Sequence, residues 1–324
     1  MAEARSQTSE VRSSSFDQVR TALEAWFGDK LGSDAVISDL KRHAEGWSWQ
    51  TYTMTVDVGA EQHGFAVRRQ PESGLLEPYD TEGQYRLHRA VVDHSDVPMP
   101  GLRWLEMDPS ILGMPFYVMD RVDGKVPVQW AGDDPDIFPD GATRTAMGHN
   151  FVGILARIHA IDPGPTGMRI PTTTDQAALD QIVHWESVYD DSVLVEVPLI
   201  RWLIGWLRAN LMTSGKVGLV HGDYRIGNFM VNGADIVAVF DWELAHVGDP
   251  VFDVAWAALP LFRGRHPDMA SQLLAVDEFL DRYEQVSGTE IDPAVFRFWT
   301  MFSHLRAVVP QLRAAKAFEE GAPD

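Results

Sequence analysis

The chain has 324 residues, 45% hydrophobic and 23% charged, a globular composition that excludes a disordered or low-complexity protein. Its 27 Lys and Arg face 47 Asp and Glu, and the formal net charge of −20 argues against a nucleic-acid surface and against docking on anionic lipid. Zero cysteines exclude a disulfide scaffold, a thiolate zinc site and a Cys nucleophile.

Residues 1–15, MAEARSQTSEVRSSS, are polar and lack the apolar core of a signal peptide, so they read as a flexible tail. No window is apolar enough to span a bilayer, and the expected location is the cytoplasm. Phe16 to Lys30 places Phe16, Val19, Leu23 and Phe27 on one helical face. TYTMTVDV (51–58) and the segment from Gly64 to Arg69 read as a β-hairpin. A helix follows over Thr81 to Val92, then strands over Leu102 to Leu105 and Pro115 to Met119. Beyond Asp123-Gly124 the pattern turns mostly helical, with apolar stripes at 147–158, 199–211 and 294–318 and a strand pair near 219–240. Strands with one helix, then helices with one hairpin, predict an α+β chain of two lobes: a small β-rich N-lobe over 16–121 and a mostly helical C-lobe over 122–324.

The chemistry concentrates in LVHGDYRIGNFMVNGADIVAVFDWELAHVGDPVFD, residues 219–253. Asn232-Gly233-Ala234-Asp235 is turn chemistry between two apolar runs. Folding them as a hairpin pairs residues whose numbers sum to about 467, so Asn228 falls opposite Val239 and Asp241 emerges at the same end. Asp223 lies on the loop just before. One such Asp or Asn alone is ordinary cap or turn chemistry. The set is more specific: its hard oxygen ligands suit Mg²⁺ rather than zinc. His221 is read as a residue that orders the loop, since a His two positions before a base more often holds hydrogen bonds than moves protons.

HGDYRIGN and FDWE resemble the catalytic loop and metal-binding segment of the aminoglycoside phosphotransferase family, within the protein-kinase-like fold. GDPVFDVAW fits the same family, and the text is most similar to the branch associated with acyl-CoA dehydrogenases. Upstream, EGWSWQTYTM resembles the loop over the phosphates, FAVRRQPESGLL the strand with the basic phosphate contact, and PFYVMDRVDG the strand and hinge. The resemblance covers roughly residues 16–310. It implies the bilobal kinase-like fold and ATP as cofactor with Mg²⁺. The reaction it implies is transfer of the γ-phosphate to a hydroxyl of a small molecule. Asp223 would accept the hydroxyl proton, and Asn228 and Asp241 would hold the metal. Glu243 would assist the metal or an acceptor amine, or stand as a solvated carboxylate. Backbone near Ser48 would cradle phosphate. The C=O of Asp120 and the N–H of Val122 would pair with adenine beside Met119.

Two departures stand out. The family's phosphate-gripping Lys is Arg68 here, and its usual carboxylate partner is Gln84, with Glu82 the nearest acid. A guanidinium fork still grips phosphate oxygens without a partner. Strand alternation sends Arg68 and Arg69 to opposite faces, and Arg69 is expected to face solvent. Two other readings stay open: a catalytically silent binder of a nucleotide or acyl ligand, and a metal-dependent hydrolase using His221, Asp223, Asp241 and His246. The acceptor is a hydroxyacyl-CoA, another metabolic alcohol or an aminoglycoside. Arg225 and the arginines at 201, 208, 263 and 265 are candidates to meet CoA phosphates, while the acidic run Asp133, Asp134, Asp136 with Asp140 reads as a solvated loop.

Overall fold

The computed structural model describes residues 2–32, 35–43, 49–72, 78–128 and 133–320, with side chains from Phe16 onward. Ser48 therefore lies outside the described residues. The chain divides into two units, 1–85 with 100–122, and 86–99 with 123–324.

The first unit is a long helix, α1 (Ala2–Leu31), and an antiparallel sheet of five strands: β1 (Ala35–His43), β2 (Gln50–Val58), β3 (Glu61–Arg69), β4 (Leu102–Glu106) and β5 (Phe116–Asp120), ordered β1-β2-β3-β5-β4. Helix α2 (Thr81–His94) starts in this unit and passes into the second after Tyr85. The segment 2–15, expected as a flexible tail, is helical backbone continuous with the amphipathic stretch that follows. Its Ala, Glu, Arg and Gln are good helix formers, which lets the helix extend past its apolar face. That face, Leu23, Trp26 and Phe27, packs on Ile37, Met54, Phe65, Val67 and Phe116.

Strand β3 shows the alternation clearly. Phe65 and Val67 face the α1 core, while Ala66 joins Trp49, Tyr117 and Met119 on the opposite face. Arg69 therefore shares the α1 side of the sheet, and the expectation that it faces solvent is wrong. It is 8% exposed and donates to Leu112 O at 2.6 Å, Gln50 Oε1 at 2.9 Å and Glu72 Oε1 at 3.2 Å. Alternation was the right rule, but it does not reveal that the segment around Leu112 covers that end of the sheet. Arg69→Ala should cost the first unit about 2–3 kcal/mol, since it strands the buried Leu112 carbonyl and the part-buried Gln50 amide oxygen, both acceptors of a charged donor. Urea titration of the variant checks this; a loss under about 0.5 kcal/mol, the range of an ordinary surface substitution, would make Arg69 a surface residue in effect.

The second unit is built on α3 (Gly141–His159), α4 (Thr174–Ser192), α5 (Pro198–Ala209), α6 (Val251–Ala257), α7 (Val276–Ser287) and α8 (Pro293–Glu319). Between them lie β6 (Gly218–Val220), β7 (Phe229–Asn232), β8 (Asp235–Val239) and β9 (His246–Gly248), with β6 paired to β9 and β7 to β8. A short pair, β10 (Met269–Ala270) and β11 (Leu274–Ala275), precedes α7. One apolar core runs from Phe151 on α3 and Trp185 on α4 to Phe252 on α6 and Phe302 on α8. Asp140 caps the N-terminus of α3 through Thr143 N at 2.7 Å. The rest of the acidic run is also engaged: Asp133 pairs with Arg144 and His266, and Asp136 with Lys125. These carboxylates are exposed and paired with cations on neighbouring segments, as expected of a solvated loop.

Candidate active site

Strand β6 delivers the chain into the loop at 221–228. Gly222 has φ +86° and lies against Leu244, whose carbonyl oxygen would sit 2.2 Å from a Cβ built there. Only glycine passes at that point. His221 is fully buried; Asp223 N–H donates to its Nδ1 at 3.1 Å, which leaves Nε2–H to donate to Phe240 O at 2.8 Å. Burial holds its pKa below the ordinary value against the pull of Asp253 and Asp223. Both ring nitrogens are used, so His221 orders the loop and is not available as a metal ligand. His246 donates Nδ1–H to Leu244 O at 3.0 Å. The four-residue hydrolase set has lost its first ligand.

Beneath the loop lies a residue that sequence reasoning passed over. Asp253, on α6 and fully buried, accepts from His221 N at 2.7 Å, Gly222 N at 2.9 Å and His159 Nε2 at 3.2 Å. Burial pushes its carboxyl up, but the His159 contact and the surrounding donors outweigh that and hold it below the carboxylate range. An Asp inside VFDVAW was the available signal: a carboxylate on an all-buried helix needs donors, and backbone N–H groups supply them.

Asp223 itself is the centre of a converging set of donors. Asn228 Nδ2 donates to its Oδ2 at 2.7 Å and to its backbone oxygen at 2.8 Å. Trp256 Nε1 donates to Oδ1 at 2.8 Å, and Arg225 Nε lies 3.1 Å from Oδ2. Burial raises the carboxyl pKa, yet Arg225, Arg306 and the Asn228 hydrogen bond together bring it below the usual range. The group is therefore an ionised, oriented acceptor whose side chain keeps 15% of its surface open.

Asp241 joins from the far side of the hairpin. Phe240 N–H donates to Asn228 O at 2.8 Å, closing the ladder one residue past the expected register. Phe229 rather than Asn228 pairs with Val239, because a bulge falls between Met230 and Val231. Asp241 has φ +63°, a left-handed backbone that Asp tolerates better than most residues. Asn228 spends its amide N–H₂ on Asp223, which leaves its carbonyl oxygen as the free end of the amide. One amide oxygen and one carboxylate make an incomplete cage of hard donors. That fits a Mg²⁺ ion that retains phosphate oxygens and waters.

Glu243 lies in a 3₁₀ turn, Trp242–Leu244, and lines a pocket of the second unit with Arg306. The remaining predicted residues belong to the first unit. Arg68 stacks its guanidinium 5.7 Å from the Trp49 ring centroid, on the face that carries Ala66 and Met119. Met119 and Asp120 end β5, Asp120 N–H donates to Gly101 O at 2.8 Å, and Val122 closes the unit. Gln84 sits in the first turn of α2. Of the distal arginines, Arg201 is paired with Glu186, Asp190 and Glu196, Arg208 with Glu186, and Arg263 with Ala258 O and Pro267 O. These three are committed to structure. Arg225 alone of the named set adjoins Asp223.

Several known proteins are similar to this chain. Mouse (Mus musculus) acyl-CoA dehydrogenase family member 10 is 28% identical over 81% of this chain and 25% of its own length. Rat (Rattus norvegicus) acyl-CoA dehydrogenase family member 11 is 27% identical over 88% of this chain and 37% of its own. The chain thus spans between a quarter and two fifths of the length of these curated relatives. Among solved structures, a Ralstonia eutropha protein assigned to the aminoglycoside phosphotransferases superposes with a TM-score of 0.70 at 25% identity, covering 94% of this chain and 90% of that one. An aminoglycoside phosphotransferase in a ternary complex with AMP-PNP and hygromycin B has a TM-score of 0.59 at 19% identity, over 93% of this chain and all of that one. The phosphotransferase enzyme family model matches residues 39–299, which takes in β2 to β5, the loop around Asp223 and the hairpin that carries Asp241, and the chain belongs to that family.

Proposed function

We propose that the protein is an ATP- and Mg²⁺-dependent kinase that transfers the γ-phosphate to a hydroxyl of a small molecule. The observation that carries this reading is the Asp223 carboxylate, ionised and fixed by Asn228, Trp256 and Arg225 beside the hairpin end. A protein that only binds has no use for such an acceptor. Phosphoryl transfer does: the transition state is loose, and the protein's contribution is positioning and charge neutralisation more than covalent chemistry. In this reading Asp223 orients the acceptor hydroxyl and takes its proton as the new O–P bond forms and the bond from the γ-phosphorus to the leaving ADP breaks. Asn228 and Asp241 hold the metal. When bound with nucleotide, Mg²⁺ would neutralise phosphate charge that a chain of net charge −20 cannot.

Met119, Asp120 and Val122 are assigned to adenine through backbone groups, and Arg68 to the phosphates in place of the family lysine. Arg68→Ala should weaken Mg-ATP binding by about 1.5–3 kcal/mol, the range of a charge-assisted hydrogen bond, while adenosine binding stays unchanged. Calorimetry with both ligands decides. An equal loss for adenosine would make Arg68 a packing residue against Trp49. Arg69, buried and bonded, is not a neutral control for this experiment.

The names of the curated relatives favour an acyl-derived alcohol, a hydroxy acid or its thioester, over an aminoglycoside as the acceptor. The test is ATP consumption over hydroxyacyl-CoAs, simple alcohols and aminoglycosides, with Asp223→Asn as the blank. ADP release that depends on one acceptor class and vanishes in the blank supports the reading. Release equal in parent and blank overturns it.

A further inference from the structure

The second unit contains a buried cation whose charge helps keep Asp223 ionised and whose hydrogen-bonding fork the proposed reaction does not use. Arg306, on α8, is 4% exposed, and its guanidinium lies 4.1 Å from the ring centroid of Trp256, 5.3 Å from Phe252 and 5.5 Å from Trp185. Its Nη1 is buried and has no hydrogen-bond acceptor. Guanidinium groups are seldom buried without oxygen partners, because desolvation of the charge is then uncompensated. Burial pushes the pKa of Arg306 down to about 10, against the pull of Asp223 and Asp253, so it stays charged at neutral pH. Its fork is charged, ordered by three aromatic rings and short of an acceptor.

Arg306 also lines a pocket of about 220 Å³ with Gln181, His184, Trp185, Glu243 and His246. A second pocket of about 370 Å³ shares Gln181, His184 and His246 and adds Met168, Pro171 and the paired Arg169 and Asp180, whose charges offset each other. Burial lowers the pKa of His184 and of His246, so both imidazoles are neutral at pH 7. The wall beside Arg306 thus presents one cation, the carboxylate of Glu243 and otherwise neutral groups. A polycation meets Arg306 there, and a dianionic phosphate meets Glu243. A monocarboxylate pairs with the edge of the guanidinium that meets the pocket at the smallest electrostatic cost. Trp256 ties this pocket to Asp223: its ring carries Arg306, and its indole N–H donates to the Asp223 carboxylate.

We propose that this pocket is a carboxylate-binding subsite, in which Arg306 grips the acid group of a hydroxycarboxylate acceptor. The proposal rests on the kinase reading for the word acceptor, and on Arg306 and its pocket for the word carboxylate. The test is calorimetric titration of the whole chain, without nucleotide or metal, with 3-hydroxybutyrate. The controls are 2-butanol, which has the same skeleton without the acid, 4-amino-2-butanol and inorganic phosphate. The acid should bind, and the alcohol and amine should bind at least about tenfold more weakly. Arg306→Met should lose at least about tenfold in affinity for the acid and nothing for the alcohol. Because Arg306 packs among aromatic rings, Gln181→Glu provides a second arm. It places another carboxylate on half-buried α4 surface at the pocket, and should weaken the acid several-fold with the circular dichroism spectrum unchanged. Absence of binding by the parent, or equal affinity in both variants and parent, overturns the subsite. Phosphate binding as tightly as the acid overturns the carboxylate assignment. Arg306-dependent binding of the acid without transfer from Mg-ATP would sink the kinase reading and leave the subsite standing. Transfer to 2-butanol as fast as to the acid would do the reverse.

Discussion

Asp223→Asn is expected to lower turnover by at least ~100-fold while Mg-ATP binding stays within a few fold, because the change removes the proposed proton acceptor and leaves Asn228 and Asp241, the proposed metal ligands, in place. The local hydrogen bonding explains why the loss is large for so small a change. The carboxylate receives Trp256, Asn228 and Arg225, and all three are donors. An amide offers one oxygen and one N–H₂, so in the variant a donor must face a donor. The side chain loses both its charge and its fixed orientation. A melting curve must accompany the assay, since a donor left without an acceptor costs about 1–3 kcal/mol when buried. Single-turnover rates on folded variant separate the two effects. Turnover within tenfold of the parent would remove Asp223 from the chemistry.

The same carboxyl has a pH consequence. Its folded pKa is depressed, so the stability it contributes is fully present above the unfolded value of about 3.9 and drains as pH falls through the lower folded value. Rate profiles should therefore show no acid limb from Asp223 above about pH 4, the region where an unperturbed carboxyl titrates. A depressed pKa also makes a weak base. That suits the proposed transfer, whose loose transition state would let the proton leave late and leave the carboxylate mainly to aim the hydroxyl.

Much of this site was legible in the sequence because it is local. Asp223, Asn228 and Asp241 lie within nineteen positions of one another, and a hairpin with readable turn chemistry folds them together. The register was misread by one residue because the bulge after Met230 leaves no mark in composition. Strand β1 went unread for a similar reason: Asp39 has φ +50°, and the pairing slips between Ser38 and Lys41, which breaks the period-two pattern. The residues missed altogether are those that come to Asp223 from a distance in the chain. Trp256 and Asp253 sit on α6, one helical turn apart, and meet the loop only through tertiary packing. Arg306 comes from α8, more than eighty positions past Asp223. Arg69 shows the limit differently, since alternation assigned its face correctly and burial of that face depended on residues more than forty positions away.

The metal assignment carries the second large effect. Asp241→Ala should abolish Mg²⁺-dependent nucleotide binding, since Asn228 alone offers one neutral oxygen to a cation that needs anionic ligands. Alanine brings a complication, because position 241 has φ +63° and a left-handed alanine costs roughly 1–2 kcal/mol. A loss of binding in that variant could then reflect a distorted hairpin end. Asp241→Asn resolves this. Asparagine tolerates the same backbone and matches the carboxylate in size, so it removes the charge without the strain. Both variants should lose Mg-ATP binding, and only Asp241→Ala should also melt lower. Titrations with excess chelator set the baseline, where parent and both variants should bind ATP equally weakly. If Asp241→Asn binds Mg-ATP as tightly as the parent, the hairpin end does not hold the metal. Asp241 would then be a turn residue whose left-handed backbone serves only to release the chain from β8 towards the 3₁₀ turn at Trp242.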